Sequence, residues 1–134
     1  MRKRGLSLAE LLLAVGFLAA ILIMMVAVMG NGLRWQANSR SYSLAYSAGR
    51  DLLERIREAG AAQLPAPQVF DGRIGQAAVG TPAFPPAPYP ALKTDHETFS
   101  YVVTVAQVQP GLSSVKVETY WDSRHKVTLE TYLR

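Results

Sequence analysis

Met1-Arg2-Lys3-Arg4-Gly5-Leu6-Ser7-Leu8-Ala9-Glu10 opens the chain, and an uncharged run from Leu11 to Met29 follows it. That run is nineteen residues long. As an α-helix it rises about 28 Å, close to the hydrocarbon thickness of a bilayer. Three cations precede it and none lies inside it, which predicts a cytoplasmic N-terminus. Glu10 does not fit a plain anchor, because a carboxylate in hydrocarbon costs about 2–3 kcal/mol or more. One local reading is a capping box, in which Ser7 closes a backbone N–H and Glu10 reaches back. That box accounts for neither Gly5 nor the basic residues before it. A small residue followed by an apolar one suits a peptidase working at the membrane face. Cutting after Gly5 would leave a free amine on Leu6, about one helical turn before Glu10.

A secretory signal peptide is the main rival reading of this segment. Its apolar core would be shorter, roughly 7–15 residues, and would end at a small-x-small cleavage site. Met25-Val26-Ala27-Val28-Met29-Gly30-Asn31-Gly32 offers no convincing site of that kind.

Beyond the apolar run, Gly30-Asn31-Gly32 predicts a break or a flexible joint, since each glycine costs about 1 kcal/mol in a helix interior. Leu33 to Ala59 then returns to helical periodicity, with Ala45, Ala48, Leu52, Ile56 and Ala59 on one stripe. Asp51 and Arg55 are spaced for an i,i+4 ion pair, and Gly60 is placed to cap the C-terminus. The simplest reading is one long helix from about Leu6 to Ala59, jointed or continuous. Its first half lies in the membrane and its second half packs on a soluble head.

Residues 61–98 form a connector that holds seven of the eight prolines, with Gly72, Gly75 and Gly80 between them. Such a stretch excludes regular helix and central strand. It is either draped over the head, with Val69-Phe70 and Phe84 as anchors, or a proline-stiffened linker. The last third, 99–134, is β. Phe99 to Val108 is rich in Val, Tyr and Phe, while Val115, Val117, Thr119 and Trp121 alternate with polar residues, as do Val127, Leu129, Thr131 and Leu133. Pro110-Gly111-Leu112-Ser113 and Asp122-Ser123-Arg124-His125 supply the turns. The expected fold class is α+β: a long N-terminal helix packed on a C-terminal antiparallel sheet of about three strands.

Arg-Lys-Arg-Gly followed by Leu-Ser-Leu-Ala-Glu and an apolar run resembles the class III signal of type IV pilins and type II secretion pseudopilins. Further on, Ala48-Gly49-Arg50-Asp51-Leu52-Leu53-Glu54-Arg55-Ile56 and the closing hairpin from Val115 to Leu133 resemble the minor pilin V and pseudopilin I group. The resemblance implies a leader at 1–5, cut between Gly5 and Leu6 by prepilin peptidase, and N-methylation of the Leu6 amine. It implies a transmembrane and assembly segment at 6–29, an amphipathic half-helix at 30–60, and the pilin fold. It further implies that Glu10 neutralises the amine of a neighbouring subunit during assembly. The partners implied are the peptidase, other minor and major pilins or pseudopilins, an inner-membrane assembly platform and membrane lipid. Two departures stand out. Leu6 replaces the phenylalanine most often found after the cut, and Ala27 stands where many major pilins carry a helix-bending proline, which points to a minor subunit.

Composition narrows the alternatives. The chain of 134 residues carries a formal charge of +4, but Arg2, Lys3 and Arg4 hold three of its fourteen cations, leaving eleven against ten acids after cleavage. With no basic stripe interleaved with aromatics, a nucleic-acid partner is not expected. No cysteine is present, which excludes disulfides and thiolate metal sites. Asp95-His96-Glu97 offers too few spaced ligands for a metal. Asp122, Ser123 and His125 hold triad residue types, yet such near neighbours seldom let a base sit between nucleophile and carboxylate. Trp35 reads as an interface-belt residue and Trp121 as a core or sheet residue. No catalytic residue, cofactor or metal is expected. Two functions remain: a structural subunit of a pilus, type II secretion or DNA-uptake filament at the inner membrane, or a monomeric membrane-anchored periplasmic or surface binding domain.

Overall fold

The computed structural model describes residues 7–95 and 97–134. Arg2, Lys3, Arg4, Gly5, Leu6 and His96, all of which carry expectations above, lie outside the described residues. The chain divides into two compact units, Met1–Ser39 and Arg40–Arg134. Helix α1 runs Leu8–Ala59. Gly30, Asn31 and Gly32 are helical, so the glycines cost helix propensity without breaking the hydrogen-bonded ladder.

The second unit holds the head, and it is an α+β fold. Five strands follow α1: β1 (Gln68–Asp71), β2 (Ala91–Lys93), β3 (Thr98–Gln109), β4 (Leu112–Tyr120) and β5 (Lys126–Leu133). All pairings are antiparallel. The meander β3-β4-β5 is the expected three-stranded sheet, with Val103 opposite Val117 and Val117 opposite Leu129. The connector adds two short strands. β1 pairs with Val102–Val105 and β2 with Thr98–Ser100, both along the edge of β3 away from β4. Proline excludes a strand where it would have to donate to a ladder. β1 contains none, and β2 begins just after Pro90, which leaves the donors of both intact.

The helix stripe meets the inner face of this sheet. Ala45, Ala48, Leu52 and Ile56 are buried, together with Phe99, Tyr101, Val103, Val105, Val115 and Val117. Period 3.6 on the helix and period 2 on the strands each present one apolar face, and the two close on each other. Gly49 sits in this contact. A Cβ there would lie 2.6 Å from the Thr119 hydroxyl oxygen, so only glycine lets the helix backbone come this close to β4. The outer face is polar: Lys126 donates to Glu118 at 2.8 Å, and the Arg73 guanidinium lies over the Tyr120 ring at 4.5 Å.

Phe70 and Phe84 anchor the connector, both buried and packed edge to face at 5.3 Å, whereas Val69 is 51% exposed. Period 2 explains the difference, since neighbours on β1 face opposite ways. Val79 and Phe84 exchange both backbone hydrogen bonds at 2.8 Å, and the Tyr89 hydroxyl donates to the Gln76 carbonyl at 2.7 Å. The stretch is therefore draped on the head by specific contacts.

Leu52→Ala should cost about 2–5 kcal/mol, because the buried stripe loses a side chain that the sheet cannot follow inward. Leu44→Ala, at an exposed site on the same helix, should change little. Denaturant unfolding followed by tryptophan fluorescence checks both, and equal midpoints would remove the stripe from the account of stability.

Candidate membrane-spanning and assembly site

Leu8–Gly32 is a 25-residue stretch of α1 long and apolar enough to cross a membrane. None of its side chains is buried by the chain itself. Leu11, Phe17, Ile21, Ile23 and Met25 are each more than half exposed, so the segment presents apolar surface all round rather than one stripe. A helix of that kind needs an apolar surrounding from outside the chain. Trp35, just beyond it, is 81% exposed.

At its start, Ser7 and Glu10 form the reciprocal capping box. The Glu10 N–H donates to Ser7 Oγ at 3.3 Å, and the Ser7 N–H donates to Glu10 Oε2 at 3.3 Å. The Leu11 N–H closes the first turn on the Ser7 carbonyl at 3.2 Å. Two orphan donors of the helix end are satisfied in this way, and the carboxylate sits where the helix dipole favours negative charge. Both bonds are long, and Oε1 of Glu10 has no partner among the described residues. Its relation to Gly5 and Leu6 lies outside the described residues.

The other sequence candidates sit in the head. Asp122 closes the β4–β5 turn: its Oδ1 accepts the N–H groups of Arg124 and His125, and its Oδ2 lies 2.6 Å from His125 Nδ1. The imidazole hydrogen bond and the two backbone N–H groups hold the Asp122 carboxyl down at about 2. The His125 ring stacks on Trp121 at 5.7 Å, and Tyr42 meets Trp121 edge-on at 6.2 Å. The turn spends its carboxylate and imidazole on holding itself and the tryptophan. Glu97, from the Asp95-His96-Glu97 stretch, accepts a hydrogen bond from Ser41 and so ties the β2–β3 turn to α1. Among the described residues no group of three or more His, Cys, Asp or Glu is placed to hold a metal ion.

One charge pairing differs from the expectation. Arg50 pairs with Glu54 at 2.8 Å, and no ion pair joins Asp51 to Arg55. Correct i,i+4 spacing permits a bond without requiring it, and the exposed Arg50–Glu54 pair satisfies the same rule one residue earlier.

No family model, no curated protein and no solved structure matches this chain.

Ser7→Ala removes the acceptor of the Glu10 N–H. Loss of a cap of this kind costs about 1 kcal/mol, so the Glu10 amide should exchange with solvent about fivefold faster. Amide hydrogen exchange of the detergent-solubilised chain measures this. An unchanged rate would show that the serine does not hold the first turn.

Proposed function

We propose that this chain is a minor pilin or pseudopilin, a structural rather than catalytic subunit that joins or primes a filament at the inner membrane. The observation that carries the reading is a carboxylate, Glu10, at the start of a 25-residue apolar segment that none of the described residues covers. The resemblance of Arg2 to Glu10 to a class III signal supports it from the sequence. In this reading the segment is first dissolved in lipid, with the N-terminus cytoplasmic and the head beyond the membrane. Prepilin peptidase cuts after Gly5, and the Leu6 amine is methylated. When the subunit enters the filament, apolar neighbours replace lipid and water leaves. An unpaired carboxylate is then penalised, whereas one paired with a neighbour's protonated Leu6 amine is favoured and fixes the register.

The capping box supports a second reading, a monomeric membrane-anchored binding domain in which Glu10 does no more than finish its own helix. The two readings differ in what happens at residues 5 and 10. Gly5→Val places a branched side chain at the scissile position and should leave the leader attached. Mass spectrometry of the membrane-extracted chain, expressed with the peptidase, would read this; an intact N-terminus in the unsubstituted chain would sink the filament reading.

Glu10→Gln keeps the shape and hydrogen-bonding capacity but removes the charge. Insertion and cleavage should be normal, and co-assembly with partner pilins should be lost. Crosslinking or co-purification with those partners is the measurement, and undiminished association would leave Glu10 as half of a capping box.

A further inference from the structure

Strand β5 forms one edge of the sheet, and among the described residues it pairs with β4 alone. The register shows which of its backbone groups are left over. In an antiparallel ladder each residue turns both backbone groups to one neighbour, and the next residue turns them to the other. The Tyr101 N–H donates to the Pro90 carbonyl at 3.1 Å, so Tyr101 and the residues in step with it turn away from β4. Ser100, Val102 and Thr104 therefore bond to Tyr120, Glu118 and Lys116. Thr119, Val117 and Val115 are left to bond to Val127, Leu129 and Thr131. The N–H and C=O groups of Lys126, Thr128, Glu130 and Tyr132 thus point off the sheet, and all four residues are exposed.

This edge lacks the usual protections. β5 holds no proline, its register with β4 runs unbroken from Lys126 to Leu133, and its core-side residues, Val127, Leu129, Thr131 and Leu133, carry no charge. At the opposite edge the connector lays down strands of only four and three residues, with a proline-rich loop between them. A long unprotected edge is a template for another strand. Helix α1 gives it a second wall. A Cβ on Gly49 would lie 3.4 Å from Leu129 Cδ1, so the helix overhangs β5. Tyr46 and Leu53, three residues before Gly49 and four after it, share that side of the helix. Tyr46 is 43% exposed, and Leu53, Leu129 and Leu133 are half-buried. Open backbone groups and an apolar ledge therefore run side by side.

We propose that this edge takes up an extended basic segment of another polypeptide as an added strand, antiparallel to β5. Main-chain hydrogen bonds to Thr128 and Glu130 hold the segment, and its alternate apolar side chains lie against Leu129, Leu133 and Tyr46. Charge selects the partner. Lys126 is held by Glu118 at 2.8 Å, and Lys116, opposite Glu130 on β4, turns to the same Glu118 at 3.8 Å. Glu130 has no ion pair among the described residues, and beside it on the outer face stands the Tyr132 ring, 59% exposed. The outer row of the edge thus offers an uncommitted carboxylate and an aromatic face, and both favour a lysine or arginine at the opposing position. The site lies wholly in the head and does not depend on the filament reading.

The test uses the full chain in detergent micelles and the end-capped peptide Thr-Val-Lys-Leu-Thr-Val-Thr, whose lysine meets Glu130 when its middle threonine meets Thr128. Backbone amide NMR should show saturable shifts along β5. Hydrogen exchange should slow at the Thr128 and Glu130 N–H groups and stay as it was at Val127 and Leu129, which β4 already holds. Proline in place of the middle threonine should abolish binding, because it removes the donor to the Thr128 carbonyl. Glutamine in place of the lysine should weaken binding about threefold, and Glu130→Gln should erase that preference. Absence of saturable shifts, undiminished binding of the proline peptide, protection at Val127 and Leu129 instead, or a lysine preference that survives Glu130→Gln would each overturn the proposal. So would Thr128 and Glu130 amides that are protected before any peptide is added, which would show that a second copy of the chain already fills the edge.

Discussion

The head exists because one helix stripe and one sheet face bury each other. Leu52 and Ile56 on α1 are fully enclosed, and so are Tyr101, Val103, Val115 and Val117 on the strands. Each such aliphatic side chain contributes about 1.5–3 kcal/mol when removed from water. Neither partner could stand alone, since a short meander with one wet face is marginal and the helix stripe would be exposed. The depth of the contact depends on Gly49, where the helix backbone lies so close to Thr119 that no Cβ fits. The Thr119 hydroxyl in this contact has no hydrogen-bond partner among the described residues. Packing gained along the whole stripe offsets one lost hydrogen bond.

From this contact the connector takes its path. A chain so rich in proline has few donors to give and cannot make a long strand, yet it has to cover the free edge of β3. It does so in two short pieces, β1 and β2, separated by a loop that turns back through the Val79–Phe84 bridge. Phe70 and Phe84 bring that loop into the core, and the Tyr101 N–H donates to the Pro90 carbonyl at 3.1 Å. A cleft beside Tyr101 is a by-product of the same arrangement: Ala87 and Pro88 form one wall, small enough to leave room against α1.

At the other end of α1 the governing constraint is solvation. Leu8–Gly32 carries apolar side chains on every face, and none of them is covered by the described residues. Glu10 is the acidic residue in its first turn, and the capping box gives that carboxylate a local role through one long hydrogen bond, from the Ser7 N–H. Weak local bonds matter for the proposed assembly, because a carboxylate held loosely can exchange the Ser7 N–H for a stronger cationic partner at little cost. In the proposed reading the same residue starts its own helix in the lone subunit and pairs across subunits in the filament.

The helix, the alternation of β3, β4 and β5, and the stripe of Ala45, Ala48, Leu52 and Ile56 are legible in the residues alone, because each is a periodic pattern that local geometry converts directly into a face. Ser7 and Glu10 were legible as a capping box for the same reason, their spacing being a property of one helical turn. The tertiary structure alone decided the rest. Nothing in Gln68–Asp71 or Ala91–Lys93 is long enough to announce a strand; each becomes one because β3 offers it an edge. Asp51 and Arg55 had the spacing of a pair, but spacing within a helix does not specify rotamers, and Arg50 pairs with Glu54 instead. The Tyr101 hydroxyl could be read in sequence only as part of a β run. Its lack of a partner among the described residues arises from the meeting of α1, the connector and the sheet, and contacts between segments distant in the chain leave no periodic trace in any one of them.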